Sequence, residues 1–269
     1  MNNISVTKIE NKVKFKFMAM LCIVILFVLR IPFLGFLTLI LGVEHSAVLY
    51  PIFEIGTYFF TALFIWTERD RLKEYHMDTI SVFIFTLGPL WYKYSDFKIR
   101  IPMMIIGLIL LAALIASKHK FSRVTMKNIR WIIIGMAAGA VTAVISSFFL
   151  SKQVNNTGMK ATFSLALISI LTQLTNAAIL EEPFFRGILW GALKKLRWKD
   201  GWIYITQALL FWIGHIYYIN TYPYSFWIVV PLASLVLGIL AWRSRSIATS
   251  MAAHGMINGL GQILTFYKL

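Results

Sequence analysis

The sequence predicts an all-α protein, a polytopic transmembrane helical bundle of about eight or nine spans. Of its 269 residues, 59% are hydrophobic, and the mean hydropathy is +0.74. Soluble domains contain only about 45–50% apolar residues. Several apolar runs reach the ~17–25 residues that a membrane-spanning helix requires. Because lipid offers no hydrogen bonds, each span has to satisfy its own backbone polar groups, which favours helices.

Nine apolar segments follow one another along the chain. They lie at about 17–43, 46–66, 79–95, 99–117, 131–150, 161–185, 202–219, 226–242 and 247–267. Four lysines precede the first segment and no small-residue cleavage site follows it, which indicates an uncleaved first span. The third segment is interrupted by Gly88 and Pro89, so eight spans is the alternative.

The distribution of positive charge favours nine spans. With nine, 18 Lys and Arg residues fall on the side of the N-terminus and 6 on the opposite side; with eight, the division is 13 to 11. Positive loops remain in the cytoplasm. We therefore predict a multi-pass protein of the cell membrane with a cytoplasmic N-terminus. The net charge of +15 is divided among these short loops, so nucleic acid is not an expected partner.

Three ionisable residues stand close together at the end of the sixth apolar segment, in the stretch AAILEEPFFRGILWGAL. They are Glu181, Glu182 and Arg186. A charge at the bilayer centre costs about 2.5–3.5 kcal/mol, so an intramembrane charge indicates a functional site. Glu182 and Arg186 have the i,i+4 spacing of a helical ion pair. Glu181 is left without a partner in its own helix and is therefore the candidate general base.

Two histidines lie in later apolar segments, His215 in QALLFWIGH and His254 in AAHGMIN. Asn258 follows His254 at i,i+4, so the two share a helix face. An imidazole and an amide on one face can hold a water and donate to an oxyanion. Two structural alternatives remain open: a salt-bridged helix end for the Glu181 stretch, and helix–helix hydrogen bonds for the histidines. Arg30 and Glu54, in the first two spans, are expected to neutralise each other.

Other protease chemistries lack their residues. The sequence contains no HExxH zinc motif and no GxSxG elbow. Its single cysteine, Cys22, supports neither a disulfide framework nor a thiolate metal site. Small-xxx-small pairs at Gly135/Gly139, Gly187/Gly191 and Gly255/Gly259 predict close helix packing.

Three motifs resemble those of the CPBP family, also called Abi, of CAAX proteases and bacteriocin-processing enzymes. EEPFFRG (181–187), FWIGH (211–215) and HGMIN (254–258) correspond to its EExxxR, FxxxH and HxxxN motifs. The resemblance covers about residues 165–266. It implies N-terminal transmembrane helices of unassigned role over 1–160 and a CPBP/Abi-like catalytic helical core over 161–269.

The resemblance implies an intramembrane endopeptidase similar to type II CAAX prenyl endopeptidases. Glu181 and His215 would activate a water, and His254 and Asn258 would stabilise the oxyanion. Glu182 and Arg186 would orient the site. Two histidines and a glutamate are enough for a three-ligand zinc site, but we favour water activated by Glu181 and assign no cofactor.

The expected partners are the lipid bilayer and a membrane-associated peptide or protein substrate. The alternative function is a non-proteolytic one: a membrane scaffold, a bacteriocin self-immunity factor, or a regulator of another membrane protein. Intact motifs alone do not distinguish it from a peptidase.

Overall fold

The computed structural model describes residues 17–42, 46–91, 96–154 and 157–268. Within these ranges the chain is helical and forms no β-strand beyond one isolated bridge, Lys160 to Lys268. The all-α prediction is confirmed. The lysine-rich residues 1–16, on which the uncleaved-signal prediction partly rests, lie outside the described residues.

Ten helices are numbered here in chain order. They are α1 (Phe17–Leu41), α2 (Ser46–Thr67), α3 (Thr79–Leu87), α4 (Phe97–Ala116), α5 (Met126–Leu150), α6 (Phe163–Lys195), α7 (Asp200–Ile213), α8 (Tyr218–Thr221), α9 (Ser225–Ser244) and α10 (Ile247–Phe266). A 3₁₀ helix, Arg69–Tyr75, precedes α3, and a short 3₁₀ turn, Gly88–Leu90, extends it.

Six of the described helices are long and apolar enough to cross a membrane: α1, α2, α4, α5, α6 and α9. Apolar side chains on α1 and α5 point outward, among them Met20, Val24, Val141 and Phe148, as expected for lipid-facing helices. The chain is therefore a multi-pass membrane protein, but nine spans are not confirmed. With its 3₁₀ turn, α3 is only ~18 Å long, against a hydrocarbon core of ~30 Å.

Helix α10 lies at the centre of the C-terminal half. It packs on α5, α6 and α9, and most of its residues are buried, which explains why this helix is less apolar than its neighbours. The predicted close packing is present in all three glycine pairs, because a Cβ on any of the six would lie within 3.0 Å of an atom elsewhere in the chain. Two of these glycines illustrate it. A Cβ on Gly139 would lie 2.5 Å from the Ala253 carbonyl oxygen, and one on Gly259 would collide with the Ile170 backbone. Only glycine permits these approaches.

Helix α6 changes its winding around the two glutamates. The π-helical turns Leu174–Ala178 and Pro183–Leu189 flank a single α-helical turn, Ile179–Glu182. Pro183 has no N–H to donate, so it interrupts the α-helical ladder at this point. The glutamates lie well inside a 33-residue helix. The alternative of a salt-bridged helix end is therefore wrong.

Helix α7 ends at Ile213, and His215 lies in the turn that follows. The expectation that His215 belongs to the helical part of a span over 202–219 is therefore wrong. The physical reason is local: Gly214 caps the helix, and the backbone N–H groups of His215 and Ile216 form tight turn bonds to Trp212 and Ile213.

Candidate active site

Six ionisable side chains from four parts of the chain form one buried cluster, called the polar cluster below. Its members are Arg30 from α1, Glu181, Glu182 and Arg186 from α6, His215 from the turn after α7, and His254 from α10. Each is less than 10% exposed. Isolated buried charges are strongly destabilising, so the contacts between these side chains decide whether the cluster is stable.

Glu181 is at the centre of the polar cluster. Its Oε1 lies 2.6 Å from Nη2 of Arg30 and 3.7 Å from Nε2 of His215. Its Oε2 lies 3.8 Å from Nε2 of His254. One carboxylate oxygen is thus bound by a guanidinium, while the other faces an imidazole nitrogen beyond hydrogen-bond distance.

Glu182 points to a different set of partners, as expected for adjacent residues ~100° apart on a helix. The predicted ion pair with Arg186 is present, with Nη1 3.3 Å from Oε1. The same oxygen accepts a hydrogen bond of 2.8 Å from Nδ1 of His254. A carboxylate can only accept, so the hydrogen-bond geometry assigns a proton to Nδ1 and turns Nε2 toward Glu181.

His215 uses both ring nitrogens within the protein. Nδ1 donates to the Phe211 carbonyl oxygen at 2.8 Å, and Nε2 accepts from Nη2 of Arg30 at 2.8 Å. These bonds assign the neutral tautomer with its proton on Nδ1. In this arrangement neither nitrogen is free to take a proton from water.

Phe211 and Ser234 explain how Arg186 is held. The guanidinium lies 4.2 Å from the centre of the Phe211 ring, and Nη2 donates to the Ser234 carbonyl oxygen at 3.3 Å. Phe211 therefore has two contacts with the polar cluster, through its ring to Arg186 and through its carbonyl to His215. Sequence reasoning identified Phe211 only as part of a motif.

Arg30 is the member of the polar cluster that sequence reasoning missed. The expected neutralisation of Arg30 by Glu54 is wrong, because the carboxylate at salt-bridge distance is Glu181. Glu54 interacts electrostatically with Arg100 instead. A signal was available: Glu181 lacked a partner in its own helix, and Arg30 was a cation in another apolar segment, which the sequence analysis paired with the nearer Glu54. The distance between them in the sequence concealed the pairing.

Among the described residues, no hydrogen bond joins Asn258 to another predicted site residue. It lies one turn beyond His254 on α10, and its Nδ2 donates to Oε1 of Gln173 at 3.4 Å. The shared helix face was correctly expected, but the proposed oxyanion role requires the amide to exchange Gln173 for a substrate.

The described residues contain no group of three His, Cys, Asp or Glu side chains arranged to hold a metal ion. Three of the four imidazole nitrogens of His215 and His254 are occupied by Phe211, Arg30 and Glu182. The Arg30 guanidinium would also repel a cation beside Glu181. These side chains, as they are arranged, do not fit a three-ligand zinc site.

The C-terminal part of the chain, which contains most of the polar cluster, matches a known protein family. Residues 162–260 match the model of a family described as type II CAAX prenyl endopeptidase Rce1-like. The match includes all three motifs, so the resemblance to the CPBP family of proteases is confirmed for this part of the chain. Residues 1–161, which contain Arg30, lie outside it. No curated protein and no solved structure matches the chain significantly.

Proposed function

We propose that the protein is an intramembrane peptidase that hydrolyses membrane-associated peptides or protein tails. One observation carries the proposal: side chains from three motifs, well separated in sequence, meet within 4 Å of Glu181 or Glu182 in a buried cluster. A fold without catalytic function gains little from such an arrangement, since buried ion pairs often cost as much as they contribute.

In the proposed mechanism Glu181 is the general base. Its Oε2 and Nε2 of His254 are 3.8 Å apart, so a water at about 2.8 Å from each can bind both. Glu181 takes a proton from this water while the oxygen attacks the carbonyl carbon of the scissile peptide bond. The C–N bond then breaks, and the proton passes from Glu181 to the leaving amine.

Arg30 is assigned to the developing oxyanion. Its Nε is buried and has no hydrogen-bond partner among the described residues, so one N–H donor is available when the carbonyl oxygen becomes negative. His215 holds the guanidinium through Nε2 and is a positioning residue. This differs from the role of water activation that the family resemblance implies for His215. Asn258 remains a second oxyanion donor.

Glu182 and Arg186 orient the site. Glu182 fixes the ring of His254 through Nδ1, much as a buried carboxylate fixes a catalytic histidine in other hydrolases. Arg186 neutralises Glu182 and is itself held by Ser234. Neither of these two side chains has to contact the substrate.

The test compares Glu181→Gln with Glu54→Gln, a matched change of an intramembrane glutamate outside the polar cluster. Each variant replaces wild type in cells, and peptides from membranes and medium are compared by mass spectrometry. We expect products that depend on Glu181 to fall by about 10²–10⁴-fold, the contribution of a general base, and to persist in Glu54→Gln. The amount of each variant in the membrane, measured by blotting, controls for folding.

The non-proteolytic alternative also has an observation in its favour. Glu181, His215 and His254 are all nearly inaccessible, and Arg30 lies directly on Glu181, so a substrate has to displace part of the site. A scaffold would need no access. If Glu181→Gln fully complements a strain from which the gene is deleted, and no peptide changes in amount, the protein acts as a scaffold or regulator.

A further inference from the structure

A second polar region lies far along α6 from the polar cluster, at the end of the helix. A cavity of about 480 Å³ opens where the 3₁₀ helix Arg69–Tyr75 meets the C-terminal ends of α6 and α9. Four cations line it, Lys73, Lys194, Lys195 and Arg245, against one lining carboxylate, Glu74. Its volume is in the range of ligand pockets, about 300–1,000 Å³. We call it the basic pocket.

Two of the four cations lack an ion-pair partner at salt-bridge distance among the described residues, although Arg245 also interacts electrostatically with Asp200. Lys194 pairs with Asp200 at 2.7 Å, and Lys195 pairs with Glu74 at 3.4 Å and Glu68 at 3.5 Å. In the described part of the chain Lys73 and Arg245 form no ion pair. The lining therefore offers an excess of positive charge to a bound group.

The floor of the basic pocket contains a buried histidine. His76 lines the cavity, is only 5% exposed, and its Nδ1 has no hydrogen-bond partner among the described residues. The ring lies 5.6 Å from that of Trp190, which is also buried. Leaving a buried donor or acceptor unpaired costs about 1–3 kcal/mol. A ligand that formed a hydrogen bond with this imidazole would remove that cost.

The backbone of this region is also held in an uncommon conformation. His76 and Arg245 both adopt left-handed φ values, 54° and 58°. Few non-glycine residues do so, and such strain concentrates at binding sites. The His76 carbonyl oxygen accepts from the N–H of Ile247 at 2.9 Å, which fixes the strained turn to the first residue of α10.

The local potential opposes further positive charge. Burial first, and then Arg245, lower the pKa of His76 to about 4, and Asp200 opposes this only partly. At neutral pH the imidazole is therefore uncharged and carries one N–H donor. Lys73, Lys194, Lys195 and Glu74 are the other charged groups that line the same cavity.

We propose that the basic pocket binds a phosphate group, contributed by an anionic phospholipid or by a free phosphate anion. Lys73 and Arg245 supply the charge and His76 the N–H. The surroundings resemble a membrane interface. Trp198 and Trp202, which follow the pocket residue Lys195 closely in the sequence, are exposed, and tryptophan together with Lys and Arg is typical of the headgroup level. The pocket is independent of the peptidase proposal.

The test measures thermal unfolding of the whole protein in neutral detergent while short-chain phosphatidylglycerol, short-chain phosphatidylcholine or inorganic phosphate is added. We expect a saturable rise in the unfolding midpoint with phosphatidylglycerol and none with phosphatidylcholine, which has no net charge. If inorganic phosphate gives the same rise, the free anion is a ligand in its own right. If it gives none, the ligand is the lipid.

The matched variants are Lys73→Gln with Arg245→Gln, and Lys127→Gln with Arg130→Gln. Each pair removes one lysine and one arginine, and the second pair lies on the exposed start of α5 outside the pocket. We expect the first pair of substitutions to raise at least tenfold the ligand concentration needed for the same rise in the unfolding midpoint. The second pair should respond at the same ligand concentration as wild type. Equal responses of both pairs, or no response of wild type to either anion, would overturn the proposal.

Discussion

At the scale of single residues, Arg30 and Glu181 form a buried ion pair whose members lie 151 positions apart in the sequence. Arg30 Nη2 also contacts His215 at 2.8 Å, so one guanidinium nitrogen joins two motif residues. The N-terminal helices, whose role was left unassigned by the domain prediction, therefore supply a side chain to the site.

Arg30 is expected to be required for activity and not only for folding. In Arg30→Ala the carboxylate of Glu181 loses its counter-charge, at a cost of about 3–5 kcal/mol. Arg30→Lys keeps the charge but not the planar fork that reaches both Glu181 and His215. We expect Glu181-dependent products to disappear in the first variant and to fall at least tenfold in the second.

The control is Arg100→Ala, which removes another buried arginine. Arg100 donates to the Thr175 carbonyl oxygen at 2.5 Å and does not belong to the polar cluster. Its variant should unfold at a lower temperature while the folded fraction keeps its activity. A loss of activity in Arg30→Lys that simply follows its unfolding midpoint, as in Arg100→Ala, would reduce Arg30 to a structural residue.

His76 predicts a pH dependence of stability. Its pKa is about 4 in the folded protein and about 6.5 when unfolded. Between these values the unfolded chain binds the proton and the folded chain does not, so stability falls as pH decreases from about 6.5 to about 4. The maximum loss is about 3 kcal/mol.

Thermal unfolding at a series of pH values between about 4 and about 6.5 measures this loss of stability. His76→Gln should have a shallower dependence than wild type, whereas His119→Gln, at a more exposed histidine, should keep most of it. If all three proteins follow the same curve, His76 is not the group that titrates.

At the scale of helices, the site depends on where α-helical winding is interrupted. Arg30 lies in the π-helical part of α1, Leu29–Leu37, and the two glutamates lie between π-helical turns of α6. Such turns are rare and often mark functional sites. Each one rotates the side chains that follow it relative to a regular helix, which determines which neighbours Glu181 and Glu182 meet.

The sequence predicted the local part of this arrangement and not the rest. The Glu182–Arg186 pair follows from i,i+4 geometry within one helix, and three motifs identified Glu181, His215 and His254 as partners. A regular 3.6-residue period cannot show π-helical turns or the end of α7 before His215. The contacts of Arg30 and Asn258 depend on packing between helices, which the sequence pattern does not contain.

The contact between α5 and α10 positions His254 and can be tested at a glycine. In Gly139→Ala the new Cβ would meet the Ala253 carbonyl oxygen and the Met256 side chain, and overpacking of this kind costs about 1–3 kcal/mol. We expect a lower unfolding midpoint together with reduced activity, because Ala253 precedes His254.

The matched control for this variant is Gly261→Ala on α10. Apart from the backbone of α10 itself, no atom of the described residues lies within 4 Å of a Cβ at that position. Alanine is favoured over glycine in a helix by about 0.5–1 kcal/mol, so Gly261→Ala should be neutral or stabilising. A Gly139→Ala protein as stable and active as Gly261→Ala would contradict the close contact.

At the scale of the whole molecule, the number of crossings remains a prediction. Six described helices satisfy the length and hydropathy of a span, while α3, α7 and α10 occupy the other three apolar segments. Helix α10 is buried among its neighbours, and α7 has 14 residues, ~21 Å. The Lys and Arg distribution still favours a cytoplasmic N-terminus and an external C-terminus.

Cysteine labelling tests that topology. After Cys22→Ser, single cysteines are introduced as Ser122→Cys, in the basic loop before α5, and Thr157→Cys, in the loop after it. With nine spans, an impermeant maleimide should label position 157 in intact cells and position 122 only after permeabilisation. The reverse pattern is the one expected for eight spans with a cytoplasmic N-terminus, and it would refute both the nine-span count and the cytoplasmic placement of the site.

The length of α6 has a consequence for the membrane around it. Its 33 residues measure ~50 Å, and the hydrocarbon layer is ~30 Å thick. This hydrophobic mismatch has to be absorbed by tilt or by emergence of a helix end. Glu181 lies ~27 Å from Phe163 and ~21 Å from Lys195, so a change of tilt alters its depth. Under the proposed activity, the acyl-chain length of the host lipid would then select which bond of a membrane-bound peptide reaches the carboxylate.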